Sequence, residues 1–356
     1  MDFLVARDDL HRTRIAELAE QAPAAGQALL AVSSFGLTAN NITYAMFGEA
    51  MSYWGFFPAE DGWGRVPVWG FADVRESAVD GLETGTRIYG YLPPSSTLLV
   101  TPTRVDEHGF FDATPHRAGL PAAYNVYART DGDPIYDAAR EDEQMLLRPL
   151  FFTSYLIDDF LGEAGLFGAS TVLLSSASSK TSSGLAYLLS QREGIEVVGL
   201  TSTRSADYVR GLGVYAHVLT YEDLSALPVG RAVYVDMAGD AEVRLAVHEQ
   251  YGDELAHSAV VGATHHDRMG AVPDQLPGPR PTFFFAPDRV KKRTADWGAA
   301  GFQQKLAEAW HPYVEWVGGW LTVTRMSGLE ALEHTYLDLL DGRIDPAGAH
   351  VFELGR

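Results

Sequence analysis

Residues 171–200 read TVLLSSASSKTSSGLAYLLSQREGIEVVGL, and this stretch decides the fold. Two short apolar runs, Thr171–Leu174 and Glu196–Leu200, flank a serine-rich turn and a stretch with helical spacing. Similar runs of four or five apolar residues alternate with helical patterns as far as Ser258–Gly262. Strands that alternate with helices build βαβ units and a parallel sheet. The sequence therefore predicts an α/β domain with a doubly wound parallel sheet over residues 151–295.

The chain on either side of this segment has a different character. The first hundred residues contain short apolar runs, such as TLLV at 97–100, separated by Gly and Pro. This pattern is typical of a small β-barrel or sandwich. A closing run, HVFEL at 350–354, is expected to return to that module. The predicted division is a β-rich domain of residues 1–150 and 296–356 around an α/β domain of residues 151–295.

Composition excludes several classes of protein. The 356 residues include 27 Lys plus Arg, 47 Asp plus Glu and no Cys, which gives a net charge of −20. At about 150 residues per domain, this length suggests two domains. The lack of Cys excludes disulfides and Cys-ligated metals, and the acidic surface argues against nucleic acid or anionic lipid as a partner. Without a signal peptide or an apolar run of about 18 residues, we expect a cytoplasmic protein and no membrane span.

The serine-rich turn is the first candidate binding site. A dinucleotide site needs a tight turn between the first strand and its helix, so that backbone N–H groups meet the pyrophosphate. The usual G-x-G-x-x-G pattern is replaced here by small hydroxyl residues and one lysine. The predicted cofactor-binding residues of this turn are Ser176, Ser178, Ser179, Lys180 and Thr181. The alternative is a plain turn whose serines only cap the helix.

The end of the second strand of this domain indicates which cofactor is preferred. Sites for NAD carry an acidic residue there, whereas sites for NADP carry small polar and basic residues. No carboxylate follows Leu200 directly, and Ser202 and Arg204 could bind a 2′-phosphate. The sequence therefore predicts NADP(H) rather than NAD(H). The alternative is a helix cap followed by an exposed arginine.

Three further segments contribute predicted cofactor contacts. Two are the ends of later strands of the parallel sheet, where ligands bind in open α/β folds. The third is the basic patch Pro287–Arg293, which could hold phosphate or serve only as a solvated helix face. The predicted residues are Ala238, Gly239, Gly262, Thr264 and Lys292.

Two stretches resemble a known superfamily. GASTVLLSSASSKTSSGLAYLL at 168–189 with the segment that follows it, and GQALLAVSSFGLTANNITYAMFG at 26–48, resemble the zinc-independent, quinone-oxidoreductase branch of the medium-chain dehydrogenase/reductases. A closer likeness is to a bacterial family catalogued as a domain of unknown function. The motifs LTANNITYA, SSASSKT, VDMAG and KRTADWG carry this second likeness.

The superfamily resemblance implies a fold, an activity and a partner. The fold would be a Rossmann-like sheet plus a GroES-like β-rich catalytic domain. The activity would be NADPH-dependent hydride transfer to an activated C=C or C=O bond of a small apolar or aromatic molecule such as an enone or a quinone. The implied catalytic candidates are Asn41, Tyr44 and Tyr53, with Trp54 beside them in the pocket. A homodimer is also implied, and PTFFFA at 281–286 is a candidate pairing edge.

No metal is predicted. The zinc enzymes of the superfamily use Cys and a Gly-His-Glu stretch, whereas this chain has VWGFAD at 68–73. His265 and His266 are adjacent, so an extended chain does not direct both at one ion.

Two other functions stay open at this point. A chain of this fold can bind a nucleotide and catalyse lyase or isomerase chemistry, or have no catalytic activity. Ser179-Lys180-Thr181 also imitates the end of a P-loop, which would make the chain a nucleoside triphosphate binder. The glycines that a P-loop needs are missing at Leu174 and Ser179, which disfavours this reading.

Overall fold

The computed structural model describes residues 1–19, 21–261 and 276–354. Two compact units make up the chain. The β unit comprises Met1–Arg148 and Leu321–Arg356, and the α/β unit comprises Pro149–Trp320.

The helices are α1 (Ala39–Met46), α2 (Glu141–Glu163), α3 (Lys180–Ser190), α4 (Ala206–Gly211), α5 (Ala241–Tyr251), α6 (Ala286–Val317) and α7 (Leu329–Leu340). The strands are β1 (Asp2–Ala6), β2 (Thr13–Ala16), β3 (Ala28–Leu37), β4 (Trp63–Gly64), β5 (Val68–Ser77), β6 (Arg87–Leu92), β7 (Thr97–Val100), β8 (Pro102–Thr103), β9 (Gly109–Asp112), β10 (Val126–Arg129), β11 (Thr171–Leu174), β12 (Glu196–Thr201), β13 (His217–Thr220), β14 (Ala232–Asp236), β15 (Leu255–Val260), β16 (Thr282–Phe283), β17 (Thr322–Ser327) and β18 (Gly348–Glu353).

The β unit contains two sheets. A three-stranded sheet has the order β2-β1-β4, and a nine-stranded sheet runs β17-β18-β3-β5-β6-β10-β9-β8 with β7 paired to β3. The closing strand β18 pairs antiparallel with β3, as the sequence led us to expect. Apolar residues of β3, β5, β6 and α7 form the main core of this unit. The predicted β-rich module is thereby confirmed, with an additional strand, β17, that lies parallel to β18.

The α/β unit is built on a six-stranded parallel sheet. Its order is β13-β12-β11-β14-β15-β16, so the strand that comes first in the chain lies in the interior and later strands extend from it on both sides. Alternate residues of β11 enter two different apolar clusters: Val172 and Leu174 pack with α2 and α3, whereas Leu173 packs with α5. Burial on both faces explains why these strands are short, continuous apolar runs. The predicted doubly wound sheet is confirmed.

Helix α6 differs most from its predicted form. The sequence pattern predicts a helix over Gly301–Glu315, but the structure has helical residues from Ala286 to Val317, with a break at Gly298, where φ is 72°. The boundary of the α/β unit follows this helix at Trp320, rather than residue 295 as the sequence division had it. The basic patch and the helix that follows it therefore belong to one unit.

Candidate functional site

The carboxyl ends of β11 and β14 form the switch point of the parallel sheet. The two strands are neighbours, and the chain proceeds outward from β11 to β12 on one side and from β14 to β15 on the other. Open α/β sheets bind their ligands outside the carboxyl ends of the strands at such a point. Turns of residues 175–179 and 237–240 follow these two strands. Two of the segments selected from the sequence thus meet at one place in the fold.

A buried serine joins the two turns. The Ser175 hydroxyl donates to Asp236 Oδ1 over 2.8 Å. Ser175 Oγ also accepts the backbone N–H groups of Met237 at 2.9 Å and Ala238 at 3.0 Å. Ala238, a predicted cofactor contact, is fully buried. Because its N–H group is already bound by Ser175, Ala238 shapes the turn and does not offer that group to a ligand.

Asp236 and Arg244 form a buried ion pair below the turn. Arg244 Nε donates to Asp236 Oδ2 over 3.0 Å, and the side chains are 5% and 0% exposed. The other carboxylate oxygen of Asp236, Oδ1, accepts the N–H group of Gly239 at 2.9 Å. Arg244 also donates to the Gly239 carbonyl at 3.2 Å. These bonds hold Gly239 at φ 70°, a conformation that favours glycine. The sequence offered no signal for Arg244, because an arginine eight residues from an aspartate has no specific meaning.

Two tyrosines hold the serine turn from the side of β13. Ser176 has φ 50°, which is rare for a residue other than glycine, and its N–H group donates to the Tyr221 hydroxyl over 2.9 Å. The Tyr215 hydroxyl donates to the Ala177 carbonyl over 2.9 Å. Burial raises the pKa of Tyr221 to about 12, so its hydroxyl stays protonated at neutral pH. Tyrosine hydroxyls thus fix a backbone shape that glycine would adopt without help.

Helix α3 begins at the end of the serine turn. Ser179 is its N-cap and accepts the N–H group of Ser182 at 3.2 Å. The predicted residues Ser178, Lys180 and Thr181 are all partly exposed at this helix end. The positive end of a helix dipole attracts anions, and small residues allow a phosphate to approach. The capping role that the sequence left open is confirmed for Ser179, and it leaves the other three side chains at the surface of the turn.

The segment after β12 is bonded to a carboxylate, Glu222, for which the sequence gives no local signal. Ser202 is partly exposed and Arg204 is exposed, as a phosphate-binding role would require. The Ser202 hydroxyl bonds to that of Ser205 at 3.4 Å. Thr203 Oγ1 donates to Glu222 Oε2 over 3.0 Å. Glu222 comes from the end of β13, about twenty positions later in the chain, so no local motif could reveal it.

Three of the four basic residues of the patch pair with acidic residues, which corrects the role predicted for Lys292. Lys292 Nζ lies 2.7 Å from Glu163 and 2.8 Å from Asp296. The neighbouring Arg289 and Arg293 also pair with carboxylates of α2. Hydrogen bonds from Lys292 and Arg289 lower the pKa of Glu163 to about 2, so its charge persists at neutral pH. These three residues therefore attach the first half of α6 to α2, and their charge is not directed at a phosphate.

Two predicted cofactor residues, Gly262 and Thr264, lie outside the described residues, as do His265 and His266.

The predicted catalytic tyrosines lie together in the β unit, in an aromatic cluster. Tyr44 and Tyr53 have ring centroids 4.7 Å apart. Trp69 Nε1 donates to the Tyr44 hydroxyl over 3.1 Å, and the ring centroids of Tyr53 and Tyr124 lie 6.0 Å apart. Burial raises the pKa of both Tyr44 and Tyr53 above the ordinary value of a phenol. The cluster consists of Tyr44, Tyr53, Phe56, Phe57 and Tyr91, with Phe47, Trp69, Leu98, Leu120 and Tyr124 packed against it.

Asn41 and Trp54 have structural roles instead of the predicted ones. Asn41 is buried, its Oδ1 accepts the Thr38 N–H group at 2.8 Å, and its Nδ2 donates to the Pro67 carbonyl at 2.8 Å. These bonds cap α1 and attach it to the next segment, so the amide does not face a substrate. Trp54 belongs to the main core of the β unit, where its indole covers a glycine so closely that a Cβ at Gly64 would overlap it.

No group of three or more His, Asp or Glu side chains that could hold a metal ion occurs among the described residues. No helix of that part of the chain is long and apolar enough to cross a membrane.

The family described as "Protein of unknown function (DUF2855)" matches residues 35–345 of the sequence. The chain belongs to this family. The match covers both turns at the switch point and the whole aromatic cluster, so the resemblance carried by SSASSKT, VDMAG and the other motifs is confirmed. No curated protein matches the sequence.

Solved structures with the same fold span the whole DUF2855 chain. CurA from Vibrio vulnificus in complex with NADPH has a TM-score of 0.64 at 13% identity, over 100% of this chain and 99% of CurA. The yhdH oxidoreductase from Salmonella enterica in complex with NADP has a TM-score of 0.57 at 14% identity, over 97% and 96% of the two chains. E. coli YhdH with bound NADPH has a TM-score of 0.56 at 16% identity, over 99% of each chain. The architecture that the distant resemblance implied, a parallel α/β sheet with a β-rich unit, is thus confirmed as the fold.

Proposed function

We propose that this DUF2855 chain is a metal-independent NADPH-dependent reductase. It transfers hydride to an activated C=C or C=O bond of a small apolar or aromatic molecule such as an enone or a quinone. The observation that carries the proposal is the meeting of the serine turn and the Asp236 turn at the switch point of a sheet in the order β13-β12-β11-β14-β15-β16. The fold is shared along the whole chain with proteins crystallised with NADPH or NADP.

The residues at the switch point fit a dinucleotide. Ser178, Lys180 and Thr181 are partly exposed at the start of an 11-residue helix and would hold the pyrophosphate. Ser202 and Arg204 would hold the 2′-phosphate, because an arginine binds phosphate with two parallel hydrogen bonds. The buried Ser175–Asp236–Arg244 network contacts no ligand in this proposal and keeps the two turns in register.

The aromatic cluster would supply the proton that completes the reduction. When bound, the nicotinamide supplies the hydride. Tyr44 and Tyr53 stay protonated at neutral pH, because burial disfavours the phenolate and raises the pKa of each. The Tyr44 hydroxyl also accepts a hydrogen bond from Trp69, which stabilises the oxygen as it gives up its proton. Either phenol is thus suited to protonate the enolate carbon or oxygen of a reduced substrate.

The test is NADPH oxidation followed at the nicotinamide absorbance band against a panel of enones and quinones. We expect turnover with wild-type protein and a loss of about 10²- to 10⁴-fold in kcat for Tyr44→Phe or Tyr53→Phe, whichever is the donor. Tyr336→Phe is the matched control, since it removes a buried hydroxyl that has no hydrogen-bond partner among the described residues. Binding of NADPH without turnover across the panel would favour a non-reductive member of the fold. Full activity in both tyrosine variants would refute the role of the cluster.

We also propose that the chain forms a homodimer through the outer edge of the parallel sheet. Strand β16 is the last strand in the sheet order, and its residue Phe283 and the nearby Phe285 are 62% and 50% exposed. An edge strand carries unpaired backbone groups that another strand can bind, and exposed aromatic side chains favour association.

A further inference from the structure

Glu222 lies beside the residues that would hold the adenosine end of the cofactor. Strands β12 and β13 are parallel neighbours, with Thr201 opposite Thr220, so their carboxyl ends meet. The segment after β12 carries Ser202 and Arg204, and the segment after β13 begins with Tyr221 and Glu222. The 3.0 Å bond from Thr203 Oγ1 to Glu222 Oε2 links the two segments. A carboxylate from the third strand is therefore fixed beside the end of the second strand, where NAD sites carry an acidic residue and this chain has none directly after Leu200.

This carboxylate is charged at neutral pH and accessible to a ligand. Glu222 is exposed, and hydrogen bonds from its own backbone, Thr203 and Thr220 lower its pKa below the ordinary value. Asp223 follows it in the same segment and is also exposed. Arg204 is the basic residue of this region that was selected from the sequence. A positive charge on Arg204 and a negative charge on Glu222 thus both lie at the carboxyl ends of β12 and β13. Purely basic surroundings would favour a 2′-phosphate more strongly.

We propose that Glu222 is a specificity-determining residue that weakens the preference of this site for NADPH over NADH. The inference rests on the proposed function, because it concerns the same cofactor site. The 2′-phosphate of NADPH carries nearly two negative charges, which the Glu222 carboxylate repels. The 2′-hydroxyl of NADH, in contrast, can donate a hydrogen bond to a carboxylate, as it does to the acidic residue of NAD sites. Glu222 thus opposes the contribution of Arg204 and makes NADH an acceptable cofactor.

The experiment compares Glu222→Gln with Asp223→Asn in the full chain. Glutamine keeps an oxygen that can accept the Thr203 hydrogen bond, so the change removes charge with little change of shape. Asp223→Asn removes the same charge one residue away, where no contact with Thr203 exists. Dissociation constants for NADPH and NADH are measured by nicotinamide fluorescence at low and high ionic strength.

We expect Glu222→Gln to bind NADPH about two- to fivefold more tightly at low salt, as for other exposed charge pairs, with the gain shrinking as salt is added. NADH binding should stay equal or weaken, and Asp223→Asn should leave the ratio of the two affinities unchanged. An unchanged ratio in Glu222→Gln, or an equal change in Asp223→Asn, overturns the assignment of Glu222. If the wild-type chain binds neither nucleotide, the proposed cofactor site fails and the role of Glu222 fails with it.

Discussion

Replacement of Arg244 by leucine is the sharpest test of how the candidate site is held. Arg244 lies on α5 and donates one hydrogen bond to Asp236 and one to the Gly239 carbonyl. Leucine is about as good a helix former, so α5 itself should persist. The change leaves Asp236, whose side chain is 0% exposed, without its counter-charge. Its remaining partners are the Ser175 hydroxyl and the Gly239 N–H group, which are neutral donors.

The expected cost follows from this geometry. Removal of one member of a buried ion pair leaves an uncompensated charge and typically costs about 3–5 kcal/mol. Because every 1.4 kcal/mol is about a factor of ten in the folding equilibrium, this loss approaches the whole stability of a marginal unit. Asp236→Asn introduced together with Arg244→Leu removes both charges. We expect the double variant to be more stable than Arg244→Leu alone by about 1–3 kcal/mol.

Urea unfolding followed by circular dichroism measures these differences. Arg210→Leu is the control, because Arg210 pairs with a fully solvated Asp207 on the surface of α4 and should change stability by less than about 0.5 kcal/mol. NADPH titration of the folded Arg244→Leu protein gives a second readout, in which we expect weaker binding. A cost below about 1 kcal/mol for Arg244→Leu, or no recovery in the double variant, would show that the ion pair does not hold the turn.

Two further predictions concern packing and assembly. Gly199→Ala should destabilise the chain by about 1–3 kcal/mol, because the new Cβ would lie 2.8 Å from the Tyr215 ring, whereas Gly211→Ala, which meets nothing within 4 Å, should be neutral or slightly stabilising in thermal unfolding. A Phe283→Ser and Phe285→Ser double variant should shift the chain from dimer to monomer in size-exclusion chromatography with light scattering, and an unchanged mass would exclude the β16 edge as the interface.

The central strands were predictable because their burial leaves a direct mark in the sequence. β11 has the bounds of the apolar run Thr171–Leu174, and β14 coincides with the apolar run AVYVD at Ala232–Asp236. Both faces of these strands are covered, so the runs are continuous and end abruptly at turn residues. The order of the strands did not follow from the runs themselves, since apolar runs do not say which strands are neighbours.

The ends of the α/β unit were harder to predict for a physical reason. Helix α6 carries its ion pairs to α2 on residues 289–293, and a charged stretch of this kind looks the same whether it is solvated or paired. The sequence therefore predicts a phosphate contact for Lys292, whereas its partners in the structure are Glu163 and Asp296. Glu222 could not be predicted from the sequence, because only the pairing of β12 with β13 brings it to Thr203.

The serines of the turn divide into two groups once their hydrogen bonds are known. Ser175 binds two N–H groups and a carboxylate, Ser179 caps α3, and the Ser182 hydroxyl donates to the Ser175 carbonyl over 2.8 Å. These hydroxyls satisfy backbone groups that would otherwise be buried without partners, and so they let a turn without the usual glycines hold its shape. A ligand at the switch point would then depend on the partly exposed Ser178 and Lys180. Substitution of Ser175 should accordingly affect folding and binding together, whereas substitution of Ser178 should affect binding alone.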